Sequence, residues 1–336
     1  MKIAFEELKA VIKKAFLKAG LTEEQAELCA QIHTESSADG VESHGANRVP
    51  RFVDYIHRGL IDLKGSPELL GAKGAVENYD GHLGIGICNA MFCADRAAAL
   101  AKEHGIGCVA LKNTTHWMRG GTYAWHMADM GLMGICWTNT ESCMPMWGSD
   151  ALGVGNNPFC IAIPRENGPI VVDMAMSQYS YGKLGVYRLA GKQLPYPGGF
   201  DSDGNLTTDP GAIEKSMRIL PTGYWKGTSL AIALDMAAML MSNGIVASDM
   251  DQDKYGSCGG CSQIFIAYDP YLFGSKEEIQ EKLDKRVEAA DSTHPADPKH
   301  PVRCPGESTV ARRKKSMAEG IHVDDDVWQQ ILALAE

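Results

Sequence analysis

The stretch from residue 89 to residue 140 leaves the chain few ways to fold. "NAMFCADRAAALAKEHG" carries apolar residues at helical spacing and closes on Gly105, and "IGCVALKN" follows at once as an apolar run of strand length. "TYAWHMADMG" repeats the helical spacing over a shorter span, and "LMGICWTNT" repeats the strand. Helices and strands alternating in this way form a sheet whose faces are covered by helices, so the fold class is α/β. "FCIAIP" and "PIVVDMA" add two strands, and "SQIFIAYD" adds another late in the chain.

The flanks read differently. "FEELKAVIKKAFLKAG" is a helix ending at Gly20, and Thr22 with Gln25 forms a capping-box pattern ahead of "EEQAELCAQIHTESSADG". Ser275 and Glu278 open a charged amphipathic helix over 275–291. At 336 residues the chain is longer than one typical core serves. The patterns divide it into a helical lobe, 1–75 with 285–336, and an α/β lobe, 76–284. Residues 191–224 are dense in Gly, Pro and Asp and too long for a connector, so they read as a lid or a segment laid over a site. "YWKGTSLAIALDMAAMLMSNG" follows as a long apolar helix whose methionines pack a core.

Composition removes several classes of function. A net charge of −10 with no Lys/Arg stripe argues against nucleic acid as a partner, and "ARRKKS" at 311–316 reads as a solvated patch. No apolar run approaches the roughly 20 residues of a membrane span. The N-terminus lacks the apolar core and cleavage site of a secretory signal, which points to the cytoplasm and to ten reduced cysteines. "SCGGCS" at 257–262 has the C-x-x-C spacing of redox and zinc sites, but no second Cys or His pair lies nearby. Cys258 and Cys261 therefore read as part of an inert loop, and no metal is expected. A nucleophile elbow, a Walker loop, an H-E-x-x-H helix and an EF-hand loop are all missing, as is a G-x-G-x-x-G turn between strand and helix.

Two stretches concentrate chemistry. In "VESHGANRVPRF", His44 and Arg48 share one face if the segment is helical up to Pro50, roughly 5–6 Å apart at Cβ. That spacing suits a 2-oxo acid: an imidazole can give a proton to the carbonyl oxygen while a guanidinium grips the adjacent carboxylate. The spacing alone is weak evidence, and without more it favours a surface or capping histidine over a catalytic one. In "NTTHWMRGGTYAW", His116 and Arg119 follow a strand, where α/β sites lie, and Gly120 and Gly121 permit close backbone approach. A turn with a hydrogen-bonded histidine fits there as well. "MPMWGSDALGVGNNPF" at 144–159 is a connection whose amides can face phosphates.

Taken together, "ESHGANRVPRF", "NTTHWMRGGTYAW", "GICWTN", "VDMAMSQYSYG", "LAGKQLP", "GYWKG" and "RCPGE" resemble the second family of malate/L-lactate dehydrogenases. The likeness runs in one order through to "GIHVDDDVWQQIL". It implies a helical lobe plus a mostly parallel, non-Rossmann sheet that binds a nicotinamide cofactor, in a homodimer with its site at the subunit boundary. The implied reaction transfers a hydride to the C2 carbonyl of a 2-oxo sugar acid, with malate, lactate, ureidoglycolate or sulfolactate as alternative acids. His44 falls on the family's proton donor, and Ser43, Arg48, His116 and Arg119 are implied to hold the acid. The cofactor is implied to lie on Ile170, Val171, Val172, Asp173, Met174 and Ala175, on Trp225 and Lys226, and on Gly306 and Glu307. Lys226 would offer charge to the pyrophosphate. Glu307 would accept from a ribose hydroxyl and repel a 2′-phosphate, which favours NADH over NADPH. The chain departs from the family at "GNNP", residues 155–158, where a threonine hydroxyl is lost. The competing classes are a binding protein that kept the fold without the reaction, and a thiol or zinc protein at Cys258 and Cys261.

Overall fold

The computed structural model describes residues 1–252 and 259–336. The chain opens with α1 (Phe5–Lys18) and α2 (Glu23–Ala38). Thr22 Oγ1 accepts from the Gln25 N–H at 3.3 Å while the Gln25 side chain accepts from the Thr22 N–H at 3.0 Å, the reciprocal box expected from the sequence. Leu8, Ile12 and Phe16 of α1 bury their side chains against Ala26, Ala30 and Ile32 of α2. Next comes α3 (Val49–His57), with Pro50 in its first turn. The missing N–H is harmless there, so the proline begins a helix where the sequence reading had it ending one.

The sheet contains β1 (Glu68–Lys73) and β2 (Val76–Asp80), so it reaches back into the segment read as helical. After these, α4 (Gly86–His104) leads into β3 (Ile106–Thr114), and Gly105, at a φ of +83°, makes the left-handed turn between them. The alternation then continues as α5 (Gly121–Asp129), β4 (Met133–Thr138), β5 (Phe159–Ile163), β6 (Ile170–Met174), α6 (Tyr181–Leu189), α7 (Trp225–Ser242) and β7 (Cys261–Tyr268). The chain ends with α8 (Lys276–Asp291), α9 (Glu307–Glu319) and α10 (Asp325–Ala335).

The strand order is β1-β2-β3-β7-β4-β5-β6. Only β2 and β3 pair in parallel; every other neighbouring pair is antiparallel. The expectation of a mostly parallel sheet is therefore corrected to a mixed, mainly antiparallel one. Two features cause this: antiparallel pairs at both edges of the sheet, and one insertion at its centre. β3 and β4 do run in the same direction, as a strand–helix–strand unit requires, but β7 slots between them and pairs antiparallel with both. β5 and β6 then close the sheet as an antiparallel pair.

Helices cover both faces. Along β7, Phe265 and Ala267 join the core under α4 and α5, whereas Ile264 joins a second core with Ala231, Leu234 and Ala238 of α7. Residues 191–224 are not an open lid. They form the pair Gly199–Phe200 and Leu206–Thr207, then a short helix, Pro210–Ser216, and bury Leu194, Ile213, Ile219 and Leu220. The methionine-bearing helix also departs from expectation: on α7, Met236 and Leu240 are exposed at 58% and 77%.

The start of α4 bears directly on the end of β3. Gly86 N–H donates to Thr115 Oγ1 at 2.9 Å, and a Cβ at Gly86 would lie 2.3 Å from the Thr115 carbonyl oxygen and 2.4 Å from that of His116. Gly86→Ala must move α4 or the 115–116 backbone. We expect it to destabilise the protein by about 1–3 kcal/mol, as overpacking does. Denaturant titration checks this, and an unchanged midpoint would contradict the packing described.

Candidate active site

The C-terminal ends of β3 and β4 and the start of β7 meet beneath the loop between α2 and α3, and together they enclose a cavity of about 810 Å³. Ser43, His44 and Arg48 line it from the loop, His116 from the end of β3, Thr138 and Thr140 from β4 and beyond, and Tyr181 and Lys183 from α6. The loop is two single turns of 3₁₀ helix, Glu42–His44 and Ala46–Arg48, joined at Gly45. A Cβ on Gly45 would sit 2.1 Å from Ser37 Oγ, the oxygen that accepts from the Ala46 N–H at 2.8 Å. Glycine is thus required by the close packing on α2. The continuous helix expected over 43–52 is interrupted, yet His44 and Arg48 still reach one cavity from successive turns.

His44 and His116 stack with ring centroids 5.6 Å apart and planes 21° from parallel. His116 Nδ1 accepts from the Met118 N–H at 2.9 Å, so its proton resides on Nε2. Ser43 Oγ lies 3.0 Å from His44 Nδ1 and holds that ring. Burial, reinforced by the Arg48 cation, pushes His44 down to about 4, against the opposing pull of Asp173. His116 is also held well below its ordinary value, by burial first and then Arg48. Both rings are neutral at neutral pH.

Arg119 does not line this cavity. Its Nε donates to Asp173 Oδ2 at 2.8 Å, and it also pairs with Asp39, which is fully buried. Arg313 donates to the same Asp39 carboxylate at 2.6 and 2.8 Å. Part of the basic cluster read as a solvated patch is therefore committed to a buried carboxylate, and Arg312 lines the cavity. Cys160 Sγ donates to the second oxygen of Asp173 at 3.2 Å.

The residues implied to hold the cofactor converge on the edge strand β6 but lie outside the His44 cavity. Val171 N–H donates to the Pro305 carbonyl at 3.1 Å, which sets Gly306 against the strand, and Gly306 takes a left-handed φ of +97°. Glu307 follows at the start of α9 and accepts from the Cys304 N–H at 3.2 Å. Beyond Ala175, Met176 O accepts from the Thr222 N–H at 2.8 Å, and Gln178 N–H donates to Leu220 O at 2.7 Å. These bonds draw in the loop that carries Trp225 and Lys226 at the head of α7. The 305–306 segment is thus placed against the start of β6, and residues 220–222 beyond its end. Asp291, Cys304 and Glu307 also bring potential ligand atoms within 4.8 Å of one another.

Cys258 lies outside the described residues. Cys261 is buried with its sulfur toward the Thr114 and Thr115 carbonyls, and burial pushes its thiol up to about 12, where it is unreactive. The sequence reading missed Thr140, Arg51, Lys183 and Gln263, which all line the cavity. Arg51 lies within "VESHGANRVPRF" and Thr140 closes "LMGICWTNT", whereas Lys183 and Gln263 sit in no chemical motif, and only the fold gathers the four.

The sequence matches the malate/L-lactate dehydrogenase family over residues 3–332. The chain belongs to that family and is an oxidoreductase. It is 44% identical to 2,3-diketo-L-gulonate reductases of Shigella boydii and of Escherichia coli K12, over 99% of this chain and 100% of each relative. Among solved structures it is similar to a sulfolactate dehydrogenase from Methanocaldococcus jannaschii, at 27% identity and a TM-score of 0.90, covering 99% of this chain and 96% of that one. It is also similar to a dehydrogenase from Sinorhizobium meliloti, at 26% identity and a TM-score of 0.88, covering 100% and 98%.

A third histidine lies under the loop. His33 is fully buried, Nδ1 donates to the Cys29 carbonyl at 2.7 Å, Nε2 has no partner, and burial lowers the ring to about 4. In the unfolded chain such rings take up protons near 6.5, and in the folded chain only near 4. Their contribution to stability is therefore complete above pH 6.5 and is lost as the pH falls toward 4. We expect the denaturant midpoint to drop steadily over that window. His33→Gln should flatten the dependence by one proton, about 1.4 kcal/mol per pH unit. An identical slope in the variant would show that His33 is not neutral in the fold.

Proposed function

We propose that the protein reduces the C2 carbonyl of a 2-oxo sugar acid with a hydride from a nicotinamide dinucleotide, and that 2,3-diketo-L-gulonate, named for its 44% identical relatives, is the acid. The observation that carries this reading is the meeting of His44, Arg48 and His116 on one cavity wall. Arg48 binds the carboxylate in a planar fork, and His116 offers Nε2–H to the substrate's oxygens. His44, steadied by Ser43, gives a proton to the carbonyl oxygen as negative charge develops there. Its depressed value leaves the ring neutral in the free protein, so this role requires His44 to gain its proton on binding. A bound carboxylate offsets the Arg48 charge, so the proton that His44 later gives away is taken up with the acid.

The edge strand and the head of α7 fit a dinucleotide. In an antiparallel ladder Asp173 turns its main-chain N–H and C=O outward with those of Val171, leaving polar groups free at the strand's end. Tyr224 supplies no side-chain cap at the head of α7, and although the Lys226 N–H is bonded to the Gly223 carbonyl, the Lys226 ammonium and the positive end of the helix suit a pyrophosphate. When bound, the cofactor supplies the hydride. Asp173 acts electrostatically on His44, so the strand proposed to hold the nicotinamide end lies on the side of the site that the proton donor feels. Glu307 favours NADH by repelling a 2′-phosphate. All nine cysteines among the described residues are unpaired, which suits the cytoplasm.

Kinetics separate the roles. With NADH and a panel of 2-oxo acids, His44→Asn should lower kcat by about 10²-fold or more because its proton moves in the transition state. Arg48→Lys should chiefly raise KM for the acid by losing the fork, and Lys226→Ala should raise KM for the dinucleotide. Wild-type turnover by His44→Asn would transfer the proton donor to His116. Oxidation of NADH with neutral ketones but no acids would remove the reading.

The same proposal includes a homodimer. Leu230, Met236 and Leu240 stand exposed along one side of α7, the helix that also carries Trp225 and Lys226, and a second copy would cover them. Sedimentation should give twice the 36.4 kDa chain mass, and Leu240→Glu should shift the protein toward a monomer. A monomeric wild type would refute the assembly.

A further inference from the structure

The floor of the cavity holds a polar atom that no group among the described residues satisfies. Gln263 lies on β7, the strand inserted at the middle of the sheet, and is fully buried while lining the cavity. Its Nε2 donates to the Thr115 carbonyl at 3.1 Å, and Oε1 has no hydrogen-bond partner. Turning the amide over would set its oxygen against the Thr115 oxygen, so the orientation is settled by that contact and Oε1 is the free end. The anchor residue, Thr115, directly precedes His116, which keeps the amide next to the stacked histidines.

The hydroxyls around this amide are already committed. Thr138 Oγ1 donates within hydrogen-bond distance of the Asn139 and Ser262 carbonyls, at 2.9 and 3.0 Å, and Thr140 Oγ1 lies 3.1 Å from the Glu141 carbonyl. A buried acceptor left alone is unfavourable, and one that borders a cavity can be completed by a water or by a ligand's donor. An acceptor selects a donor: it welcomes an O–H and gains nothing from a methylene. We infer that Gln263 is a specificity-determining residue, whose Oε1 accepts a hydrogen bond from a hydroxyl on the carbon chain of the acid beyond C2.

This inference rests on the reductase reading above and sharpens it. Arg48, His44 and His116 address the carboxylate and carbonyl, which every 2-oxo acid carries, and so cannot tell a sugar acid from a simple one. Gln263 can, because losing the hydroxyl leaves Oε1 unpaired in the complex, whereas a purely apolar floor would be indifferent.

The experiment compares kcat/KM for two 2-oxo acids of equal chain length, one hydroxylated at C4 and C5 and one bearing methylenes there. Wild type should prefer the hydroxylated acid by about 10²-fold or more. Gln263→Met, close in volume, should cut that preference at least tenfold by losing rate on the hydroxylated acid alone. Should that variant fold poorly, Gln263→Asn withdraws the acceptor by one methylene and should cut the same preference. Equal losses on both acids, or an unchanged ratio, would overturn the assignment and leave Gln263 a structural residue. A wild type without preference would overturn it too. Turnover of neither acid would instead remove the reductase reading, and this inference with it.

Discussion

The Asp39 carboxylate is fully buried and shared by two guanidinium groups, and the geometry of the site hangs on it. An ionised group removed from water is costly unless its charge and lone pairs are answered, and breaking such a pair on one side leaves the other stranded. Arg119 and Arg313 answer Asp39 from the turn after β3 and from α9. Arg119 then extends to Asp173 at the end of β6. One polar cluster thus ties the end of α2, just before the His44 loop, to the strand where the cofactor is proposed to lie. An arginine that looks like a substrate ligand by its place in the sequence serves instead to hold two halves of the site in register.

Around that tie the cavity is arranged for an anion. Arg48, Arg51, Lys183 and Arg312 line it against Glu42 and Glu141, so cations outnumber anions although the whole chain carries a charge of −10. The two stacked imidazoles remain neutral because burial and the neighbouring Arg48 both disfavour a further positive charge. Basic residues scattered over 265 positions of sequence make one field only after folding.

Local features were legible before folding was considered. The capping box at Thr22 and Gln25, the left-handed Gly105 and the alternation of helix and strand through β4 each depend on residues within a few positions of one another, where propensity and periodicity act directly. The proton-donor candidate was also visible, because "SHGANR" is a contiguous stretch. Long-range placement was not. Nothing near β7 announces that it will enter between β3 and β4, and that insertion, with the antiparallel pairs at both edges, made an expected parallel sheet a mainly antiparallel one.

The sequence by itself determined the α/β class, the helix boundaries marked by caps and glycines, and the grouping of His44 with Arg48, since each is a matter of short-range sterics and hydrogen bonding. The tertiary structure decided which charges meet. Arg119 was drawn to two carboxylates because burial makes an unanswered carboxylate too costly to leave. Arg312 was brought to the cavity rim and Gln263 to its floor for a different reason. Strand order and helix packing set their positions in space, and these follow from how the whole chain buries its apolar surface, a sum that no local stretch contains.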